Sequence, residues 1–351
     1  MASKSCTHLA SLHSLVMLVL LLFLAGLVGG CSASPAPGSS PTSTPTQGIR
    51  GIFHEFALPP SKLAPGDIVA GPDGNLWFTE VANGQTGKIG RITLTGTVSE
   101  FSLPTANALA FDIIAGPDGN LWFVEGVNGQ TGKIGRITPM GKISEFSLAP
   151  NTYAQRIAAG PDGNLWLTKE DKIGRMTLTG KISEFPLPPS HRCPFGITAG
   201  PDGNLWFTEL GYIGRITPMG KISEFSLPTS EEFPFTITAG PDGNVWFADT
   251  GTNNGPSKIG RVTPQGQISE FTLPHYILNS ITRGPDDALW FTEGQINATG
   301  KIGRVTTAGK ISEFPLPTPG SGPGSITTGP DRALWFTEGQ INATGKIGRL
   351  V

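Results

Sequence analysis

At 351 residues and 38% apolar, the chain is long enough to bury a large core, and a formal charge of −2 gives it no bulk pull toward nucleic acid or anionic lipid. Glycine (48) and proline (31) together approach a quarter of the residues, a disorder-like level, yet they recur at fixed intervals and therefore mark turns. The sequence has no zinc-type His/Cys spacing, nucleophile elbow, phosphate-binding loop or basic stripe, which excludes those site classes as sources of function.

Residues 1–30 begin with Lys4 and the amino terminus as a positive start and continue into the apolar run LVMLVLLLFLAGLVGG from Leu15, which reads as a secretory signal peptide. The run stops at Cys31, and LVGGC resembles a bacterial lipobox. The expectation is therefore an exported lipoprotein with Cys31 lipidated, held on the extracytoplasmic side of a membrane by its lipid anchor alone; the other possibility is an uncleaved transmembrane anchor. Processing would leave Cys193 as the sole thiol and no intrachain disulfide. Residues 31–50 are rich in Ser, Thr, Pro and Ala and cannot bury enough apolar surface to order themselves, so they read as a tether. Its extended reach is about 60 Å.

Residues 51–351 repeat one unit, and no segment has helical periodicity. All seven tryptophans, Trp77, Trp122, Trp166, Trp206, Trp246, Trp290 and Trp335, belong to it at spacings of 40 to 45, the period of propeller blades. Each unit predicts four short strands. In the fourth unit the innermost is GITAG (Gly196 to Gly200) and the next is NLWFTE (Asn204 to Glu209). The PDG between them is a turn: proline presets φ, aspartate bonds its own backbone and glycine takes the left-handed position. The last two units place Asp287 and Arg332 at that glycine, at a cost of about 1–2 kcal/mol each if the conformation is kept. The third strand (KIGRIT) and the fourth (KISEF) are joined by tight turns such as Thr95-Gly96. A two-residue loop there sets Arg91 opposite Glu100, Arg136 opposite Glu145 and Arg215 opposite Glu224. The tryptophans read as inter-blade wedges, each burying about 200 Å² and stabilising by up to about 5 kcal/mol.

The chain ends TGKIGRLV (Thr344 to Val351), one strand short of a complete unit, while GIFHEFALPP from Gly51 matches a fourth strand that no preceding unit needs. The first strand therefore completes the last unit. The fold class that follows is all-β: a seven-bladed β-propeller of four-stranded antiparallel blades, sealed between Glu55-Phe56 and Ile347-Gly348-Arg349.

Three positions past each tryptophan stand Glu80, Glu125, Lys169, Glu209, Asp249, Glu293 and Glu338. Such a ring suits a divalent cation or a cationic ligand; the structural explanation, which repetition favours, pairs each acid with a neighbouring lysine (Lys88, Lys133, Lys301, Lys346) or with solvent. Symmetry breaks two residues before each innermost-strand isoleucine, at Gly66, Phe111, Gln155, Phe195, Phe235, Asn279 and Gly324. Phe111, Gln155, Phe195, Phe235 and Asn279 make a mixed mouth suited to a flat organic or peptide ligand, unless the phenylalanines plug the channel. Of the histidines kept after processing, His54 falls in the closing strand. His191 and His275 each precede an innermost-strand isoleucine by six residues and are the candidate acid/base groups, set against simple solvation of a lone loop histidine. Two NAT triplets, at Asn297 and Asn342, match a glycosylation acceptor that a bacterial lipoprotein would not use.

The unit GITAGPDGNLWFTE, followed by KIGRITPMGKISEFSLP, resembles the repeat of the virginiamycin B lyases, which inactivate streptogramins, and the likeness spans all seven units. It implies a seven-bladed propeller and, for active members, a magnesium-dependent lyase that opens a cyclic depsipeptide at its ester by C–O elimination, with histidine and glutamate at the channel mouth. The catalytic histidines of that family lie in Pro-His-x-Ile segments. The matching segments here are LNSI (Leu278 to Ile281) and PGSI (Pro323 to Ile326), so Asn279 and Gly324 stand in the imidazole positions and neither transfers a proton. Gly322 and Gly339 stand where the family's glutamates are expected, Glu338 being the neighbour of the second, and Gly66 stands where a tyrosine is expected. The resulting expectation is a monomeric tethered propeller that binds a small organic or peptide-like ligand at its mouth. Two alternatives remain open: an active lyase using His275 or His191 with Glu293 or Glu338 holding magnesium, and a protein–protein scaffold.

Overall fold

The structure, a computed structural model, describes residues 51–351 apart from 61–62, 82–84, 127–130, 189–192, 230–231, 252–255, 275–276, 295–298 and 341–344. The signal peptide, Cys31 and the tether lie outside the described residues, as do His191, His275, Asn297 and Asn342. The described chain forms seven separate four-stranded antiparallel sheets. Blade one is built from Ala64–Ala70, Leu76–Val81, Lys88–Ile92 and Val98–Ser102, in order from the axis outward. Blades two to six begin with the innermost strands Leu109–Ala115, Arg156–Ala159, Ile197–Ala199, Pro234–Ala239 and Ile277–Arg283.

Blade seven takes three strands from the end of the chain, Ser321–Thr328, Leu334–Gln340 and Lys346–Leu350, and its outermost strand, Phe53–Ala57, from the beginning. Glu55 lies opposite Gly348 and Phe56 opposite Ile347, the expected seal. Reciprocal backbone bonds between Ile52 and Val351 (3.2 and 3.0 Å) extend it. Strand direction then defines two faces. Connections into each innermost strand, and those following each WFTE strand, lie on the mouth face. The GPDG turns and the third-to-fourth turns lie on the opposite, hairpin face, where Gly51 and Val351 also sit.

The register of the outer strands differs from the expectation by one residue. Gly90, not Arg91, is opposite Glu100, and Arg91 is opposite Ser99; the same holds for Arg136 with Ser144 and Arg215 with Ser223. The cause is the turn. Thr93 N–H donates to Thr97 O and Gly96 N–H to Thr93 O, so the loop carries a bulged glycine (Gly96, φ 91°) beyond a two-residue hairpin. One extra residue moves every side chain to the other face. The Glu100 carboxylate consequently meets Lys88 at 2.5 Å, and Arg91 turns toward Trp77.

That turn creates the inter-blade unit. Trp77 stacks on Phe101 (centroids 5.6 Å apart), and the Arg91 guanidinium lies 5.5 and 5.8 Å from the two ring centres. Arg91 Nη1 donates to Pro139 O of blade two at 3.1 Å, and Gly141 of the same turn lies against the Phe101 ring. Trp77, with Ile89, buries itself against Leu121, Phe123 and Ile137 of blade two. The Trp–Phe stack recurs in all seven blades, and in the last it is Phe56 that covers Trp335 at 5.6 Å.

The PDG aspartate has a second task besides its turn. Asp73 Oδ1 accepts the indole N–H of Trp77 at 2.9 Å while Asn75 donates to Oδ2 at 2.8 Å. Burial opposes its ionisation, but these bonds prevail and hold the Asp73 carboxyl below its ordinary value. In blades six and seven the asparagine is Ala288 or Ala333. The freed oxygen is taken by Arg304 (2.7 Å to Asp286) and Arg349 (2.8 Å to Asp331), whereas Arg91 stays 3.9 Å from Asp73. Asp287 and Arg332 keep the left-handed conformation at φ 56° and 61°, as the repeat required.

Candidate functional site

The mouth is built by bulges. In blades one, two, five, six and seven the innermost strand slips register between Pro65 and Ile68, Ala110 and Asp112, Pro234 and Thr236, Leu278 and Ser280, and Pro323 and Ile326. The interrupted positions include Gly66, Phe111, Phe235, Asn279 and Gly324, so the residues that break the repeat are the ones a bulge re-aims. Where the second strand carries threonine, its hydroxyl ties the innermost strands together; the bulged blades two and five carry Val124 and Ala248 there instead. Thr337 Oγ1 accepts from Ser325 N–H in its own blade (2.9 Å) and donates to Gly66 O of the next (2.8 Å); Thr168 and Thr292 donate likewise to Phe195 O (2.7 Å) and Gly324 O (2.6 Å).

The two halves of the mouth differ. On the side of blades three to five, Phe195 and Phe235 stack with centroids 4.2 Å apart, and the Arg156 guanidinium lies 4.4 Å above Phe195. Phe195 is only 3% exposed, so this half is filled by its own aromatic side chains. Gln155 contributes its carbonyl to Arg156 Nη1 (3.3 Å), and Phe111 lies apart, its ring against Gly126. On the side of blades six, seven and one, Asn279 Nδ2 donates to Pro323 O at 2.9 Å. There Gly322 pairs with Gly339 across the sheet, and no atom lies within 4 Å of where a Cβ would stand on either.

Beneath the mouth is a polar neck that the sequence reading missed. Asp67 reaches across blades: Ser325 Oγ donates to its Oδ1 and Ile113 N–H to its Oδ2 (3.0 Å). Asp112 Oδ2 accepts from Ile157 N–H at 2.7 Å. Enclosure, and then the negative charge of Asp67, push the Asp112 carboxyl up to about 8, against the pull of Arg156. Asp112 therefore keeps its proton near neutral pH. The signal was present in the sequence, one position past the mouth residues, where the units read Asp67, Asp112, Arg156, Gly196, Thr236, Ser280 and Ser325.

The acids that follow the tryptophans do not make the lysine pairs expected of them. Glu80, Glu125, Glu209, Glu293 and Glu338 are at most 1% exposed. The lysines expected to pair with them go to the fourth-strand glutamates instead: Lys88 to Glu100 (2.5 Å), Lys133 to Glu145 (2.5 Å), Lys346 to Glu55 (2.6 Å) and Lys301 to Glu313. Burial, with the adjacent glutamate charge, raises the carboxyls of Glu80, Glu125 and Glu293 to about 7 against the opposing pull of each lysine. Burial also raises Glu338, with a Ser321 bond acting the other way. Lys169 breaks the series and binds Glu184. Each of these acids is buried beside the fourth-strand glutamate of its own blade.

Magnesium, which the family resemblance implies, takes several oxygen ligands at close range. The described donors do not fit it: Glu293 and Glu338 stand beside Lys301 and Lys346 in different blades, and among the described residues no three His, Cys, Asp or Glu side chains converge. His54 is an exposed strand residue opposite Arg349. A cavity of about 390 Å³ at the rim, lined by Ala149, Lys169, Ile182 and Glu184, is separate from the mouth.

Comparison with known proteins agrees with this architecture. The family model described as the virginiamycin B lyase family matches residues 46–276 and 252–350. A structure of a streptogramin B lyase is 36% identical, with a TM-score of 0.74, and the match covers 86% of this chain and 97% of that one. The virginiamycin B lyase of Staphylococcus aureus, also 36% identical, gives a TM-score of 0.73 over 86% and 99% of the two chains. So does a catalytically inactive histidine-to-alanine form of that enzyme with quinupristin. The WD40 propeller domain of Doa1, 11% identical with a TM-score of 0.62 over 85% and 96% of the two chains, shares the fold alone. No curated protein matches the sequence. With the family pattern running through every blade and solved relatives matching almost end to end, the chain belongs to the virginiamycin B lyase family.

Proposed function

We propose that the protein is an exported lipoprotein, anchored through Cys31, whose propeller binds a small organic or peptide-like ligand at the channel mouth without the lyase chemistry of its relatives. The observation that carries this is the pair Gly322 and Gly339, side by side with free space above both, next to Asn279 and Gly324 in the places of the family's histidines. None of these four groups moves a proton or holds a cation through a carboxylate. The shape of a lyase site is kept while its reacting groups are absent. The quinupristin complex of a relative makes a streptogramin the natural first probe of that mouth.

The test separates binding from turnover. Purified protein is titrated with quinupristin by calorimetry, and in parallel incubated with it and magnesium while linearised product is sought by mass spectrometry. Binding without product is the expected result. Turnover at an enzyme-like rate would refute the reading and favour the active lyase, for which the raised carboxyl of Glu293 is the supporting feature. In that case His191→Ala and His275→Ala identify the acid/base group by loss of about 10²–10⁴-fold in rate.

A further inference from the structure

The two faces of the ring differ in what they expose. Of the five large apolar residues that stand exposed among the described residues, four lie on the hairpin face: Ile52 (48% exposed), Leu94 (36%), Met140 (90%) and Met219 (90%). The fifth, Tyr153, is on the mouth side and its hydroxyl is bonded to Glu170 at 2.9 Å. Met140 and Met219 occupy turn tips whose equivalents in other blades are Thr95, Thr179, Gln265 and Ala308, so the turn itself does not ask for an apolar residue. Isolated exposed apolar residues are ordinary, but a gathering of them on one face marks a contact surface.

Charge on that face is also one-sided. Lys142, Lys181, Lys221 and Lys310 follow the turn glycines and are exposed. Six of the seven GPD-turn aspartates stand within 3.9 Å of an arginine of their own blade, which balances their charge, and the exposed Asp287 faces Arg283 at 3.4 Å. A near-neutral chain thus presents a locally basic, methionine-tipped surface. The closing strand supplies the geometry: it runs from Phe53, opposite Leu350 on the hairpin face, to Ala57, opposite Lys346 on the mouth face. The chain that links the propeller to Cys31 therefore enters on the methionine side.

We propose that the hairpin face docks on an anionic bilayer, Met140, Met219 and Leu94 resting among the headgroups with Lys142, Lys181 and Lys221 over the phosphates, so that the channel mouth points away from the membrane. The lipid anchor is part of the proposed function; the docking surface rests on it only for proximity. An apolar tip with a basic surround is the combination that interfacial binding uses, each basic residue changing partitioning by about fivefold.

Methionine oxidation reads the contact directly. Of five methionines in the chain, Met1 and Met17 leave with the signal peptide, and Met176 is fully buried as an internal reference. The mature protein is placed on phosphatidylglycerol/phosphatidylethanolamine vesicles or on phosphatidylcholine vesicles, treated with peroxide, and mapped by peptide mass spectrometry. On the anionic vesicles, sulfoxide formation at Met140 and Met219 should slow by at least about fivefold, and the K142E/K181E/K221E variant should regain the faster rate. Solvent-like oxidation of both methionines on anionic vesicles, in protein whose N-terminal peptide carries acyl chains, overturns the docking and leaves the anchor. Protection without acylation leaves the docking and removes the anchor. Protection that appears in native membranes but never on protein-free vesicles overturns the docking in favour of a protein partner.

Discussion

Replacing Glu209 by glutamine should change how stability depends on pH. Glu209 is 1% exposed, and neither carboxylate oxygen has a hydrogen-bond partner among the described residues. Burial, and then the charge of Glu224, raise its carboxyl from 4.5 to about 8. Blade four carries Tyr212 where blade one has Lys88, whose pull leaves Glu80 lower, at about 7. The folded state therefore binds this proton more tightly than the unfolded chain does. The stability it contributes is complete below pH 4.5 and falls as pH rises through about 8, at about 1.4 kcal/mol per pH unit, up to about 5 kcal/mol in all. Glutamine carries no such proton, and the fixed cost of its buried amide is the same at every pH. Guanidinium unfolding of both proteins at pH 5, 6.5 and 8 should show the variant gaining on the wild type by several kcal/mol across that range. Parallel pH profiles would refute the assignment of Glu209 as a neutral buried acid.

Asp287→Gly should raise stability by about 0.5–1 kcal/mol, read as a higher Tm, because glycine relieves the left-handed strain at φ 56° but loses more chain entropy. Arg332→Gly should come out near zero, since it also gives up the Nη2 bond to Pro285 O (3.1 Å). Phe56→Ala should cost about 3–4 kcal/mol and speed amide exchange in Lys346–Leu350, while Phe101→Ala costs the same without that local signature. Gly322→Glu with Gly339→Glu should give a Tm that rises with magnesium, an effect missing from the wild type, because both new side chains enter open space. Arg156→Ala should raise the Asp112 carboxyl above about 8, followed by carboxyl-carbon NMR titration, because it removes the one charge that holds that proton weakly.

The fold was legible because its signals are local and repeated. Tryptophan spacing, PDG turns and the unmatched strand at Phe53–Ala57 each state a constraint that seven copies repeat. The outer-strand register was not legible, since a bulged and an unbulged turn both end in glycine and only the Gly96 bond pattern separates them. That one residue converted an expected Arg–Glu ladder into Arg91 over Trp77 and Lys88 against Glu100. The mouth was legible as a break in symmetry at Phe195, Phe235 and Asn279, but not which side chains would close on one another. Asp67 and Asp112 escaped because a carboxyl next to an innermost isoleucine reads as solvated until its partners, from Ser325 and Ile113 of neighbouring blades, are known.

Those partners also bear on how the proposed ligand would lie. Phe195, Phe235 and Arg156 use up their faces on one another, so blades three to five offer a wall. Gly322 and Gly339 of blade seven leave backbone and free volume, with Asn279 already turned to Pro323 O. In the proposed binding, a ligand entering there would meet the neck at Asp67 and Ser325, beside the Asp112 carboxyl that burial keeps protonated near neutral pH. Such a floor accepts donors and repels a second carboxylate, because a like charge would have to be desolvated beside one already present. In the proposed binding, specificity would come from the open side of blade seven at Gly322 and Gly339, while Phe195 and Phe235 fix the outline of the opening.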